Sequence, residues 1–294
     1  MALTTRLQKH RARLDKRLRR LLPPAQEAPL TLHRAMRYSV LGGGKRIRPI
    51  LCLEAAAVFR RPPAGIADLA CAIEFIHTYS LIHDDLPALD NDDLRRGRPT
   101  CHKKFGEAAA ILAGDALLTL AFEVLARMRR PAPGQCAEII RELAAAVGTR
   151  GGMIAGQMAD LGAEGRRVSA RQLETIHRGK TGALIRASVR TGALFAGADK
   201  PSLQRLSRFG AKLGLAFQIV DDVLDVRSST RRLGKTTHKD AALGKATYPA
   251  VHGLEKSQRM AGKLVEEACD ELKPFGRRAD TLREIARYLL TRAA

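Results

Sequence analysis

The 294 residues carry 51 Lys and Arg against 30 Asp and Glu, a formal charge of +21, with 45% apolar residues, 4% aromatic and no Trp. That length supports one large domain or two small ones with a substantial core, and the apolar share excludes wholesale disorder. An apolar set dominated by Ala and Leu favours helix over strand, and so few aromatics argue against a base-stacking nucleic-acid binder despite the charge.

In chain order, the N-terminal "MALTTRLQKHRARLDKRLRRLL" places Leu3, Leu7, Leu14, Leu18 and Leu21 near helical spacing. It lacks the apolar stretch of a secretory signal and reads as the first helix of the domain rather than as a transit peptide. Residues 69–83 repeat apolar positions at i, i+3, i+4 and i+7 through Leu69, Ala72, Ile73 and Ile76, and residues 206–224 do the same. Breaks fall at 21–29, 41–45, 60–65, 95–99, 129–134, 163–169, 196–202 and 227–245, all rich in Gly, Pro or charge. These divide the chain into roughly ten helices of ordinary length. No alternating strand or hairpin is expected, and no linker or composition shift separates two domains. The expectation is a single all-α domain over residues 1–294. No apolar run is read as reaching the roughly 20 residues of a membrane span. Cys52, Cys71, Cys101, Cys136 and Cys269 are scattered without a C-x-x-C pair, as reduced thiols are in a cytosolic protein. A cytoplasmic protein with no stable membrane insertion and no nucleic-acid partner is expected.

Two acid clusters break the basic background. In "IHDDLPALDNDDLRRGRP" (82–99) five aspartates fall within ten residues and Arg95, Arg96 and Arg98 follow at once. Glu74, His77 and Asp84 share a helix face, whereas Asp90 would lie about 240° away from Asp84 on an ideal helix. Pro87 removes a helical hydrogen bond between them, so the last turn opens and Asp90 can return toward Asp84 and Asp85. In "QIVDDVLDV" (218–226) Gln218, Asp221, Asp222 and Asp225 form one polar stripe down an apolar helix. Carboxylates this close repel unless a cation lies among them, and acids in an apolar setting are paired or bind metal. All-oxygen clusters without Cys favour Mg²⁺, completed by water and substrate phosphate. Lys45, Arg48, Arg95, Arg96, Lys180, Lys235 and Lys245 supply groups suited to phosphate. His83 beside Asp84 also admits a metal phosphohydrolase, a reading that leaves residues 221–225 idle.

The pairing of "DDLPALD" with "DDVLD", preceded by "GGKRIRP" and followed by "LGKATYP", resembles the trans-polyprenyl diphosphate synthases, most closely the bacterial-type farnesyl diphosphate synthases. "SLIHDDLPALD", "KTGALIRA" and "GLAFQIVDDVLDV" extend the likeness from about residue 30 to the C-terminal "ARYLLTR". The resemblance implies the isoprenoid synthase fold, a helical bundle around a central cavity, and usually a homodimer. It implies that Asp84, Asp85 and Asp90, with Asp221, Asp222 and Asp225, hold Mg²⁺, typically three ions. Those ions clamp the diphosphate of an allylic substrate (dimethylallyl or geranyl diphosphate). Arg95, Lys180, Lys235 and Lys245 match contacts to that diphosphate, and Lys45, Arg48, His77 and Arg96 match the site for isopentenyl diphosphate. Thr181 and Gln218 match groups near the allylic cation. Tyr79, five residues before the first motif, and its neighbour Ser80 match positions that set product length. With the inserted Pro87 and Ala88 they imply farnesyl diphosphate. Geranyl and geranylgeranyl diphosphate are the alternatives, a terpene cyclase a further one, and a basic nucleic-acid binder the alternative of another class.

Overall fold

The structure, a computed structural model, describes residues 2–59, 64–128, 133–231 and 246–291, without the side chains of 133 and 228–231. Among these, every element longer than two residues is helical, which is the expected all-α class. By internal contacts the chain divides into two compact units, Met1–Leu53 with Pro62–Ile140, and Glu54–Arg61 with Arg141–Ala294.

The first unit holds α1 (Leu3–Leu21), α2 (Leu30–Leu41), the start of α3 (Ile47–Ala57), α4 (Ile66–Asp84), α5 (Cys101–Phe105), α6 (Glu107–Ala126) and the start of α7 (Pro133–Val147). Leu14 and Leu18, fully buried, seat α1 on the unit's core, each worth about 1.5–3 kcal/mol. Arg17 ties the same helix to Asp68 on α4 through a two-pronged contact of 2.5 and 2.8 Å. α4 is almost wholly buried, with Leu69, Ile73, Phe75 and Ile76 at 0% exposure, and α6 packs along it. The ordinary-first-helix reading of the N-terminal segment therefore agrees with how α1 packs.

Two expectations need correction here. α6 is 20 residues with a mean hydropathy of 1.8, so by length and composition it reaches a membrane span. Its Ala113, Gly114 and Leu117 are packed inside the unit, and its Leu, Ile, Val and Phe residues are what raise its hydropathy. A hairpin also exists: β1 (Leu94–Arg95) pairs antiparallel with β2 (Arg98–Pro99). Its two-residue turn, Arg96 and Gly97, takes positive φ at both positions (56° and 72°), the twist a two-residue hairpin requires. "RRGR" contains that turn, but its strands are too short to show alternation.

The second unit holds the rest of α3 and α7, then α8 (Met153–Ala163), α9 (Ala170–His177), a π-helical turn (Arg178–Gly182), α10 (Ala183–Phe195), α11 (Lys200–Arg231), α12 (Tyr248–His252), α13 (Leu254–Glu271), a 3₁₀ segment (Lys273–Ala279) and α14 (Asp280–Thr291). A capping box between Ser169 and Gln172 starts α9. α11 packs on α13 and α10. Leu173, Leu215, Ile219, Val220, Val223, Tyr248 and Ala261 close a core cluster beneath the acid stripe. The five cysteines are unpaired thiols, four of them buried.

Candidate active site

α4 ends at Asp84, and the chain then doubles back as the break at Pro87 predicts. The backbone N–H of Asp90 donates to the Asp84 carbonyl at 2.8 Å, and those of Asn91 and Asp92 to the carbonyls of Leu86 and Asp85 at 3.1 and 3.2 Å. Asn91 sits at φ 47° to make the turn. Asp84 and Asp90 are thus brought together, both partly exposed. Asp85 is the buried member, at 3% exposure. The Arg95 Nε donates to both its oxygens, at 2.7 and 2.9 Å. Burial pushes the Asp85 carboxyl up and the Arg95 contact draws it back.

The hairpin carries Arg95 and Arg96, two of the arginines expected to meet diphosphate. Arg95 reaches back to α4, while the Arg96 guanidinium donates to the Gly43 carbonyl in the glycine loop. Lys45 is exposed at the end of that loop. Arg48 lies 3.3 Å from the His77 Nε2. Burial first, and then the charges of Arg48, Arg96, Arg95 and Arg46, push His77 well below its usual range. The ring is therefore neutral and accepts from Arg48. Lys45, Arg48, His77 and Arg96 all belong to the first unit, as do Tyr79 and Ser80. The Ser80 hydroxyl donates to the His77 carbonyl. Tyr79 is 5% exposed, and its hydroxyl is buried without a hydrogen-bond partner. Burial and the nearby Asp84 raise it to about 12.

In the second unit the acid stripe of α11 is anchored at Asp222, which is buried at 5% exposure, whereas Asp221 is partly exposed and Asp225 exposed. A hydrogen-bond chain runs through it. The Thr181 hydroxyl donates to the Gln218 carbonyl oxygen at 2.8 Å, the Gln218 amide to Asp222 at 3.0 Å, and the Tyr248 backbone N–H to the other Asp222 oxygen at 2.9 Å. Burial pushes Asp222 up to about 7, with those donors pulling down and Asp221 and Asp225 adding to the rise. Lys180 and Thr181 project from the π-helical turn, an insertion that marks functional sites in helices. Its close approach to α8 requires Gly156, where a Cβ would stand 2.0 Å from the Lys180 nitrogen. The Lys180 ammonium contacts Asp160 at 2.6 Å. Lys235 and Lys245 lie outside the described residues.

Several contributors escaped the sequence reading. Glu74, named there only as a neighbour on the Asp84 face, is 2% exposed and forms a 2.6 Å pair with Arg46, itself fully enclosed. That guanidinium also donates to Asp15 and to the Val40 carbonyl. Asp160 on α8 is the counter-ion of Lys180. His177 stacks on Tyr248, with ring centroids 5.3 Å apart, and its Nε2 is 3.9 Å from Asp222. Burial holds His177 down at about 4, so the contact is not an ion pair. An acid within the apolar run "GMIAGQMADL" is the signal that would have picked out Asp160; nothing local marks His177.

Among the described residues no three His, Cys, Asp or Glu side chains converge into a ready metal cage. The donor set nonetheless fits Mg²⁺, which takes one or two carboxylates and fills its shell with water and phosphate. Asp84 and Asp90 in one motif, and Asp221 and Asp225 in the other, keep their carboxylates within reach of solvent. Asp85 and Asp222 are the more buried member of each motif, and both accept from protein donors.

Residues 29–285 match the polyprenyl synthetase family. The chain is 50% identical over 253 residues to a heterodimeric geranylgeranyl pyrophosphate synthase large subunit of Arabidopsis thaliana, covering 84% of this chain and 68% of that protein. It is 49% identical over 249 residues to the farnesyl diphosphate synthase of Geobacillus stearothermophilus, covering 84% of each. The crystal structure of an FPP/GFPP synthase from Zymomonas mobilis superimposes with a TM-score of 0.88 at 39% identity, covering 98% of both chains.

Proposed function

The chain belongs to the polyprenyl synthetase family of prenyltransferases, and from that premise we propose that it makes farnesyl diphosphate. The reaction is the head-to-tail condensation of isopentenyl diphosphate with dimethylallyl and then geranyl diphosphate, carried out by residues 1–294 as one cytoplasmic catalytic domain. The observation that carries this reading is the placement of a cation or hydroxyl donor against each acid motif. Arg95 grips Asp85, and Lys180 and Thr181 stand beside the Gln218–Asp222 chain, as an anionic ligand bridged by divalent cations would need.

Asp84, Asp85 and Asp90, with Asp221, Asp222 and Asp225, are the residues that would hold Mg²⁺, about three ions in a substrate complex. When bound, Mg²⁺ supplies positive charge to the departing diphosphate. The chain's own cations work in the same direction. Arg95, Lys180, Lys235 and Lys245 stabilise charge as the allylic C–O bond ionises. Neutral His77 orients the Arg48 guanidinium, which with Lys45 and Arg96 binds the diphosphate of isopentenyl diphosphate. Gln218 is held at both ends of its amide, so the Thr181 oxygen that donates to it is fixed beside the developing allylic cation. The isopentenyl double bond attacks that cation, and the proton then lost passes to the released diphosphate. No protein nucleophile takes part.

The relatives carry both farnesyl and geranylgeranyl names, so the product rests on Tyr79. Its ring is buried, its hydroxyl has no polar partner, and it lies about one and a half turns before Asp84 on α4. An apolar tail growing down that helix would stop at the ring. We expect wild-type enzyme, given isopentenyl and geranyl diphosphate, to stop at the C15 product on chromatography, and Tyr79→Ala to extend it to C20 or beyond. An unchanged product in Tyr79→Ala would remove the stop from Tyr79. A homodimer is proposed as well. α6 exposes Ile111 and Leu112 at 45% and 57% on an otherwise apolar helix, and a second copy would cover them. A sedimentation mass of a single chain would refute that pairing.

A further inference from the structure

The residue that stops the product is itself held by a contact between α4 and α6. The ring of His83, one turn beyond Tyr79, meets the Tyr79 ring edge to face with centroids 5.7 Å apart. Its far side enters a notch in α6. There the His83 Nε2–H donates to the Ile111 carbonyl at 3.1 Å, and Asp115 stands 3.8 Å away. The notch exists because position 114 is glycine. A Cβ there would lie 2.2 Å from the His83 Nε2 and 2.6 Å from its Cδ2, far inside van der Waals contact. Gly114 has no side chain and is buried on α6, so the ring could share the notch with a methyl group only by moving.

We propose that His83, seated at Gly114, is a positioning residue for product length: it buttresses the Tyr79 ring, and the Gly114 notch is the specificity determinant behind it. This rests on the reading of Tyr79 as the stop. Tyr79 has no hydrogen bond of its own to fix its ring. Its orientation depends on packing, and His83 is its aromatic neighbour. His83 in turn is set by one backbone carbonyl and one missing side chain on α6. Edge-to-face pairs of this kind restrict a ring beyond what burial alone does. With the buttress gone, the Tyr79 ring samples orientations that let the tail pass.

The test is the product ratio in Gly114→Ala, His83→Ala and Tyr79→Ala, measured with isopentenyl and geranyl diphosphate and Mg²⁺ beside total isopentenyl incorporation. Gly114→Ala and His83→Ala should each raise the C20:C15 ratio about tenfold, with Gly114→Ala keeping total incorporation within about threefold of wild type. A merely structural defect would lower incorporation without moving the ratio. Should Gly114→Ala fold poorly, the double variant Gly114→Ala/His83→Ala removes the clash, and it should fold and give the longer product. An unchanged ratio in both single variants, while Tyr79→Ala lengthens the product, overturns the buttress and leaves the stop in place. No lengthening in Tyr79→Ala overturns the stop itself, and the buttress with it.

Discussion

Asp84→Ala and Asp221→Ala each lower turnover by at least about 10³-fold, equivalent to about 4 kcal/mol of lost transition-state stabilisation, while the melting temperature stays near that of wild type. The asymmetry follows from burial. Asp84 and Asp221 are partly exposed members of crowded acid clusters, so removing either relieves like-charge repulsion. Asp222 behaves differently. It accepts from the buried Tyr248 N–H and the half-buried Gln218 amide, and its removal strands the buried donor at about 1–3 kcal/mol. Asp222→Ala should therefore lose stability along with activity. Steady-state kinetics beside thermal unfolding separate the two classes. Wild-type turnover in Asp84→Ala or Asp221→Ala would remove the acid motifs from the mechanism.

Glu74→Ala is the substitution with the largest expected cost in stability. Its carboxylate pairs at 2.6 Å with Arg46, and the side chains are 2% and 1% exposed. Truncating one partner of a buried pair leaves an uncompensated charge and costs about 3–5 kcal/mol, or roughly 10 °C in melting temperature for a chain of this size. The Asp15 and Val40 contacts to Arg46 soften the loss without cancelling it. Arg46 sits at φ 53° between Lys45 and Arg48. The same variant should therefore raise the KM for isopentenyl diphosphate more than that for geranyl diphosphate. A melting temperature within about 2 °C of wild type, less than 1 kcal/mol on the same scale, would show that the pair does not anchor the loop.

Much of the candidate site is legible because its chemistry conflicts with its surroundings. Five aspartates in a chain of +21, and a polar stripe down an apolar helix, stand out without any knowledge of the fold. Pro87 alone predicts the reversal that brings Asp90 to Asp84. Periodicity located the helices because apolar residues recur along α4 and α11 at the spacing of one face. What escaped was long-range or too short to be periodic. Arg46 and Glu74 are 28 residues apart and meet through the fold. Lys180 and Asp160 meet across the approach that Gly156 permits. The hairpin at residues 94–99 spans two residues a side, below any alternation signal. α6 reaches span length only as a whole helix, because Asp115 and Glu123 interrupt its apolar run in sequence. The notch at Gly114 appears only when the Cβ it lacks is set against the His83 ring. That relation between two helices is written in neither one.

Central to the proposed function is one metal-dependent prenyl transfer served by both acid motifs and their cations. Its most direct test follows radiolabelled isopentenyl diphosphate into acid-labile prenyl product with geranyl diphosphate as co-substrate, in Mg²⁺ and again in excess chelator. C15 product is expected in Mg²⁺, none in chelator, with recovery when Mg²⁺ is restored. Product formed equally well in chelator, or no product from these substrates with Mg²⁺ present, would contradict it.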